Sequence, residues 1–214
     1  VSYNPQPYDE RTKNLDNAIK SGMGGVAKTL KVPLTPDEVQ GICKVESCRT
    51  DKVTCRDRSC GPFQTSPEAI IDAGTLFKEF GTKIKVDDLR KMSREERLEY
   101  IKKMSVEDLA TGGVLYYGII KGSIYDVCKT SCSEDTKLEL ALIANNLGPT
   151  ATRGLITSYK NEYGELPKTT ADFKNYLTAE KLRTYFPTWT KSQLNWKIGI
   201  VKKYPDNVRK AMRR

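Results

Sequence analysis

Glu46 is a carboxylate placed where a helix pattern calls for an apolar residue. Val39, Ile42 and Cys43 follow the i, i+3, i+4 spacing of a buried helix face, and Glu46 is the next member at i+7. Burial and the negative end of a helix dipole both disfavour an ionised carboxylate, so we expect both to raise the pKa of Glu46. A carboxylic acid protonated near neutral pH can protonate the leaving oxygen in glycoside cleavage. Taken alone, such a Glu is more often one that reaches solvent or pairs with an arginine.

The composition limits which side chains could act as catalytic groups. The chain has no His, which excludes Ser-His-Asp and Cys-His nucleophilic sites and any His-bound zinc. Acid–base chemistry near neutral pH must then fall to carboxylates, Lys, Tyr or Cys. The formal net charge of +9 favours acidic partners such as nucleic acid, anionic membrane surfaces or bacterial wall polymers.

An even, clustered set of cysteines predicts disulfides and an oxidising compartment. The cysteines are Cys43, Cys48, Cys55, Cys60, Cys128 and Cys132. Cys128–Cys132 is the simplest local pair to expect, and the pairing of the other four stays open. The alternative for the cluster within 43–60 is a four-Cys zinc site, although its spacing differs from paired C-x2-C knuckles.

The elements that must position Glu46 are mainly helices, with a small β element. Thr35-Pro36-Asp37-Glu38 is a capping box with Pro in the first turn, so a helix begins there and runs to about Ser47. The polar, Cys-rich stretch 48–65 indicates a loop or short hairpin. Residues 136–147 are apolar nearly all round and predict a buried central helix, which Gly148-Pro149 ends. Further helices are predicted from Ser66-Pro67, from Ser105, near 170–185 and near 190–203. No run of ~20 apolar residues suited to a membrane span is present.

Two segments stand apart within the predicted organisation. Residues 1–30 are polar with clustered glycines, and we expect an N-terminal arm or first helix followed by one domain over 31–214. Residues 82–104 carry many charges beside a sparse apolar face, which predicts a solvated helical excursion. In the helix that follows, the pair Gly112-Gly113 predicts a close approach of another helix.

Residues beyond Glu46-Ser47 follow a distinctive order. Gln64 lies eighteen residues after Glu46 within Gly61-Pro62-Phe63-Gln64, and Gly113-Val114-Leu115-Tyr116 and Ala144-Asn145-Asn146-Leu147-Gly148-Pro149 come later. Across 36–155 this order resembles the lysozyme-like lytic transglycosylases and their goose-type lysozyme relatives. That family has Glu-Ser at a helix end, then Gly-x-x-Gln, a Gly-x-x-Tyr helix and an Ala-Tyr-Asn-Ala-Gly-Pro-like segment. Asn145 stands here where the family has Tyr.

The resemblance implies an α+β lysozyme-like fold and cleavage of the β-1,4 bond between N-acetylmuramic acid and N-acetylglucosamine in peptidoglycan. Glu46 would protonate the glycosidic oxygen and then act as the base. The implied substrate-binding residues are Ser47, Gln64, Tyr116, Asn145 and Asn146. We expect a monomer that acts on glycan strands without metal or organic cofactor, in an extracellular, periplasmic or virion-associated setting.

Two chemistries stay open for this bond. In the lytic transglycosylase reaction, which we favour, Glu46 deprotonates the sugar's own 6-hydroxyl and a 1,6-anhydro product forms. In hydrolysis a second carboxylate activates water, with the two carboxyls roughly 6.5–9.5 Å apart for inversion. The segment around Glu46 also resembles invertebrate-type lysozymes, which use an Asp about a dozen residues after the Glu. Asp57 is therefore the candidate for the second carboxylate, and Asp51 and Asp72 are weaker candidates. Asp57 lies between two arginines, so a solvated loop charge is an equal interpretation.

The C-terminal region departs from the family's pattern, which presents a Tyr near the acid in a Glu-Thr-x-x-Tyr setting. The nearest match is Ser192-Gln193-Leu194-Asn195-Trp196, so Trp196 stands at the Tyr position. Either Tyr204 or Tyr185 substitutes for that phenol, or the contact is absent. Trp189 and Trp196 could stack on sugar faces, although core packing is the commoner fate of a helical Trp.

The alternative from another functional class is a non-catalytic cell-wall or chitin-binding protein of the same fold. If Glu46 is buried beside an open groove, the enzyme is the better interpretation. If the groove is blocked, the non-catalytic binding protein is the better interpretation. Nucleic-acid binding ranks below both, because Lys and Arg are spread along the chain without a recognition helix or an aromatic RNA motif.

Overall fold

The computed structural model describes residues 10–48, 50, 52–78 and 85–213. The described chain is mainly helical with one small antiparallel hairpin, which confirms the predicted fold class at that level. The elements are α1 (Glu10–Leu30), α2 (Pro36–Glu46), β1 (Cys55–Arg56), β2 (Ser59–Cys60), α3 (Pro67–Leu76), α4 (Val86–Lys91), α5 (Arg94–Lys102), α6 (Val106–Cys128), α7 (Glu134–Leu147), α8 (Pro149–Tyr163), α9 (Thr170–Tyr176), α10 (Ala179–Arg183) and α11 (Lys191–Met212).

The chain forms two compact units whose boundary falls inside α6. The first holds the described residues of Val1–Ile119 and Ala211–Arg214, and the second is Ile120–Lys210. Of the two segments set apart in the sequence, residues 1–9 and 82–84 lie outside the described residues. The remainder forms α1 in the first segment, and α4 and α5 in the second.

Local signals explain where α2 begins. The Thr35 hydroxyl accepts from the Glu38 backbone N–H at 3.3 Å, and the Glu38 carboxylate accepts from the Thr35 N–H at 2.8 Å. This reciprocal pair satisfies N–H groups that the first helical turn leaves without partners. Val39, Ile42 and Cys43 then bury one face of the helix, as the sequence spacing predicts.

In the first unit, α1 packs closely on the first half of α6. A Cβ atom at Gly118 would lie 2.3 Å from Val26 Cγ2, and one at Gly22 would lie 2.8 Å from Val114 Cβ. Both distances are too short for a real Cβ, so the two helices approach at these glycines because a side chain is missing.

In the second unit, α7 is the buried central helix that the sequence predicts. The side chains from Leu140 to Ala144 are fully buried, and α7 ends at Gly148, whose φ of 100° favours glycine. Pro149 begins α8, a helix that the sequence analysis did not assign. No helix in the described part of the chain combines the length and the apolar character required to cross a membrane.

Candidate active site

Glu46 is the last residue of α2, and its side chain is half-buried. The helix ends there because Ser47 leaves helical geometry while its N–H still donates to the Cys43 carbonyl at 2.9 Å. The Ser47 hydroxyl shares a hydrogen bond with the Thr54 hydroxyl at 3.3 Å. The end of α2 is therefore joined to the chain that enters β1.

Two disulfides fix the backbone around this point. Cys43–Cys48 closes the end of α2 around Glu46, and Cys55–Cys60 joins directly opposed residues of β1 and β2. The disulfide interpretation of this cluster is confirmed, and its thiols are consumed, which argues against the zinc alternative. In the residues that the structure describes, no group of three or more His, Cys, Asp or Glu side chains is placed to hold a metal ion.

The expected Cys128–Cys132 bridge is wrong for this structure, in which both cysteines are free. Cys128 ends α6 and Cys132 lies two residues before α7; both are buried, and their thiols share a hydrogen bond. Burial raises the pKa of Cys128, and the hydrogen bond to Cys132 adds to that shift. Two thiols in contact, rather than a disulfide, therefore connect these helices.

Gln64 organises the turn that follows the hairpin. Its side-chain nitrogen donates to the carbonyls of Thr54 at 3.1 Å and Gly61 at 2.9 Å, and its side-chain oxygen accepts from the Arg56 N–H at 3.1 Å. The backbone supports the same turn, since the Cys48 N–H donates to the Pro62 carbonyl at 3.3 Å. Gln64 therefore ties β1 to the turn through its amide, while its implied role in substrate binding stays a prediction.

Glycines allow α6 to pack on this turn. A Cβ atom at Gly113 would lie 2.6 Å from Phe63 Cβ and 2.8 Å from Thr65 Oγ1, and one at Gly61 would lie 2.7 Å from Leu109 Cβ. The close neighbours of Gly113 belong to the turn and not to another helix. The Gly-x-x-Gln and Gly-x-x-Tyr motifs thus pack directly on each other.

Tyr116 lies one helical turn beyond Gly113 and is half-buried. Burial raises its pKa to about 12, and the carboxylates of Asp72 and Glu68 on α3 add to the shift. Burial also raises the pKa of Asp72, against the opposing effect of the Arg90 guanidinium. Asp72 is therefore an acidic group within electrostatic range of Tyr116.

Asp57, the first candidate for a second carboxylate, is exposed in the two-residue turn between β1 and β2. Its φ is 52°, a left-handed conformation that Asp and Asn adopt more readily than most residues. The turn alone therefore accounts for an Asp at this position. Asp51, a weaker candidate, lies outside the described residues.

Asn145 and Asn146 belong to the second unit, whereas Glu46, Ser47 and Tyr116 belong to the first. The Asn145 side-chain N–H donates to the phenol oxygen of Tyr204 at 3.1 Å.

Lys197 Nζ donates to Asn146 Oδ1 at 3.0 Å. No motif in the sequence pointed to Lys197.

The tyrosines proposed to replace the family's phenol differ in surroundings. Tyr204 is buried and contacts Asn145, whereas the Tyr185 hydroxyl lies against Gly154, where a Cβ could not fit. Trp196 is 63% exposed, so core packing is not its role. Tyr204 is therefore the phenol associated with the Asn145-Asn146 segment.

Compared with known proteins, the chain matches no family model, no curated protein and no solved structure. The resemblance to lytic transglycosylases therefore rests on the four motifs and their order.

Proposed function

We propose that this protein cleaves the β-1,4 bond between N-acetylmuramic acid and N-acetylglucosamine in peptidoglycan, with Glu46 as general acid and then base. The observation that carries the proposal is the construction around Glu46. A half-buried carboxylate ends α2, a disulfide closes around it, and the Gln64 turn is fastened to the same hairpin. General acid catalysis needs a carboxyl held in one place relative to the scissile oxygen.

The lytic transglycosylase route needs only one carboxylate. Glu46 gives its proton to the glycosidic oxygen, then accepts the proton of the muramic 6-hydroxyl as that oxygen bonds to C1. The product is a 1,6-anhydro sugar, and Glu46 ends protonated again. The exposed turn position of Asp57 supports this route over hydrolysis, because the turn itself explains the residue.

The other residues act through position. Ser47 and Gln64 hold the backbone at the end of α2 and at the turn, and Tyr116 lies on the helix packed against that turn. Asn145 and Asn146 would hydrogen-bond the glycan, with Tyr204 and Lys197 orienting their amides. Net charge of +9 favours anionic wall polymers, and the disulfides favour an oxidising compartment outside the cytoplasm.

The test is a digest of purified peptidoglycan with wild type, Glu46→Gln and the matched control Glu95→Gln, an exposed residue of α5. Mass spectrometry of the muropeptides should show 1,6-anhydro products with wild type and the control alone. Products that end in a reducing muramic sugar would show that the protein is a lysozyme and not a lytic transglycosylase. An intact wall with all three proteins, under conditions where a control lysozyme works, would favour the non-catalytic wall-binding protein.

A further inference from the structure

Trp196 lies on the solvent face of α11 with 63% of its surface exposed. The chain's other tryptophan, Trp189, stacks on the Phe186 ring at a centroid distance of 4.9 Å. Trp196 therefore presents much of its ring to water from a helix, so a ligand that covered the ring would gain hydrophobic free energy.

The residues beside Trp196 on the same face leave the ring accessible. Gly199 and Lys203 follow at i+3 and i+7, which places them along one side of a helix. A Cβ atom at Gly199 would meet nothing within 4 Å, so the space along the helix from the indole is open. Lys203 is exposed at the far end of that space.

The helix that carries this face is rich in basic residues. The α11 sequence KSQLNWKIGIVKKYPDNVRKAM contains several Lys and Arg residues and a single acidic residue, Asp206. Arg209 is balanced by Asp135 and Glu139, whereas Lys203 forms no ion pair with the residues that the structure describes. An anionic ligand is therefore the complement of this surface.

We propose that the face formed by Trp196, Gly199 and Lys203 is a docking surface for a carboxylate-bearing glycan. One pyranose ring stacks on the indole across the gap at Gly199, and the lactyl carboxylate of a muramic residue that carries no stem peptide pairs with Lys203. The glycan's identity rests on the proposed function. The surface continues toward the proposed substrate segment, because the neighbouring Lys197 donates to Asn146.

A lipid surface fits this face less well. An interfacial helix buries a broad apolar stripe, and Trp196 is the one exposed large apolar side chain that α11 shows among its described residues. A flat ring beside a cation suits a single sugar with an acidic substituent. A nucleobase could also stack on an exposed indole, so single-stranded DNA belongs in the test.

The experiment measures binding with the full chain carrying Glu46→Gln. Calorimetric titrations compare a GlcNAc–MurNAc oligosaccharide, a chitin oligosaccharide of equal length and a short single-stranded DNA. Trp196→Ala should weaken binding of both sugars roughly tenfold. Lys203→Gln should remove only the preference for the muramic sugar, and added salt should reduce that preference in the parent protein. Lys13→Gln, an exposed lysine of α1, is the matched control and should change nothing.

Three outcomes would overturn the proposal: unchanged sugar affinity in Trp196→Ala, an unchanged muramic preference in Lys203→Gln, or DNA binding as tight as sugar binding. These outcomes are separate from failure of the proposed function. If wild type leaves peptidoglycan uncut while Trp196-dependent binding persists, the docking surface stands and the enzymatic proposal fails. If wild type cuts peptidoglycan and Trp196→Ala binds sugar normally, the enzymatic proposal stands and the docking surface fails.

Discussion

The side-chain amide of Asn145 donates to the phenol oxygen of Tyr204 across 3.1 Å, between α7 and α11. Tyr204 is buried, so its hydroxyl has a fixed position from which to orient that amide. The arrangement makes a phenol part of the Asn145-Asn146 segment even though Trp196, not Tyr, stands at the position suggested by sequence.

Tyr204→Phe should therefore lower peptidoglycan cleavage while leaving the fold intact. Loss of one hydrogen bond inside a packed contact costs about 1 kcal/mol, which corresponds to roughly a fivefold fall in kcat/KM if Asn145 must be oriented. Steady-state rates on purified peptidoglycan measure the effect, and thermal melting checks the fold. Tyr185→Phe is the control, and equal losses in both variants would contradict a special role for Tyr204.

Asp57→Asn should retain wild-type activity within about twofold. Asn adopts the left-handed turn conformation at least as readily as Asp, so the hairpin keeps its shape and only the charge is removed. The rate of muropeptide release from purified peptidoglycan is compared between Asp57→Asn and wild type. A large loss of activity in a variant with an unchanged melting temperature would instead identify Asp57 as a second catalytic carboxylate.

Gly113→Ala should destabilise the first unit and lower activity together. The added Cβ would meet Phe63 and Thr65 in the turn organised by Gln64, and relief of that overlap must shift the turn. Overpacking of this kind costs about 1–3 kcal/mol, measurable as a lower urea midpoint. Gly24→Ala in α1, where the space is open, is the matched control and should be neutral or slightly stabilising.

Alkaline pH should destabilise the folded protein through Tyr116. Its folded pKa is raised to about 12, so the unfolded chain loses this proton first, and stability falls as pH rises from about 10 to 12. Tyr116→Phe should show a smaller loss of stability over that interval, by up to about 2–3 kcal/mol. Urea titrations at several alkaline pH values compare the two proteins. Parallel pH profiles would contradict the prediction.

Cys128 and Cys132 should be the only cysteines alkylated when the protein is denatured without reductant. In the native protein, burial and the raised pKa of Cys128 keep the thiol protonated, so its alkylation should be slow until denaturant is added. Peptide mapping after labelling identifies the sites. Labelling of Cys43 or Cys60 would contradict the pairing in the structure.

Local signals in the sequence predicted most of the helices and the hairpin. The capping box at Thr35, the apolar run over 136–147 and Gly148 act within a few residues, so each could be recognised without tertiary contacts. The helix after Pro149 was missed, although Pro at its first turn is a starting signal.

The candidate site was less predictable because its side chains are bound by distant parts of the chain. Gln64 was identified by motif, but its hydrogen bonds to Thr54 and Arg56 depend on how the hairpin folds back. Lys197 reaches Asn146 from another helix, a contact that no local pattern records. The exposure of Trp196 likewise depends on which face of α11 the second unit buries.

Both disulfides join cysteines that are five positions apart in the chain. Loops of this length close rapidly and at low entropic cost, so each pair can meet before any helix distant in sequence has docked. Each native pair can therefore form from local contacts alone, independently of the packing of distant helices. The backbone around Glu46 can therefore be cross-linked before the rest of the protein has folded.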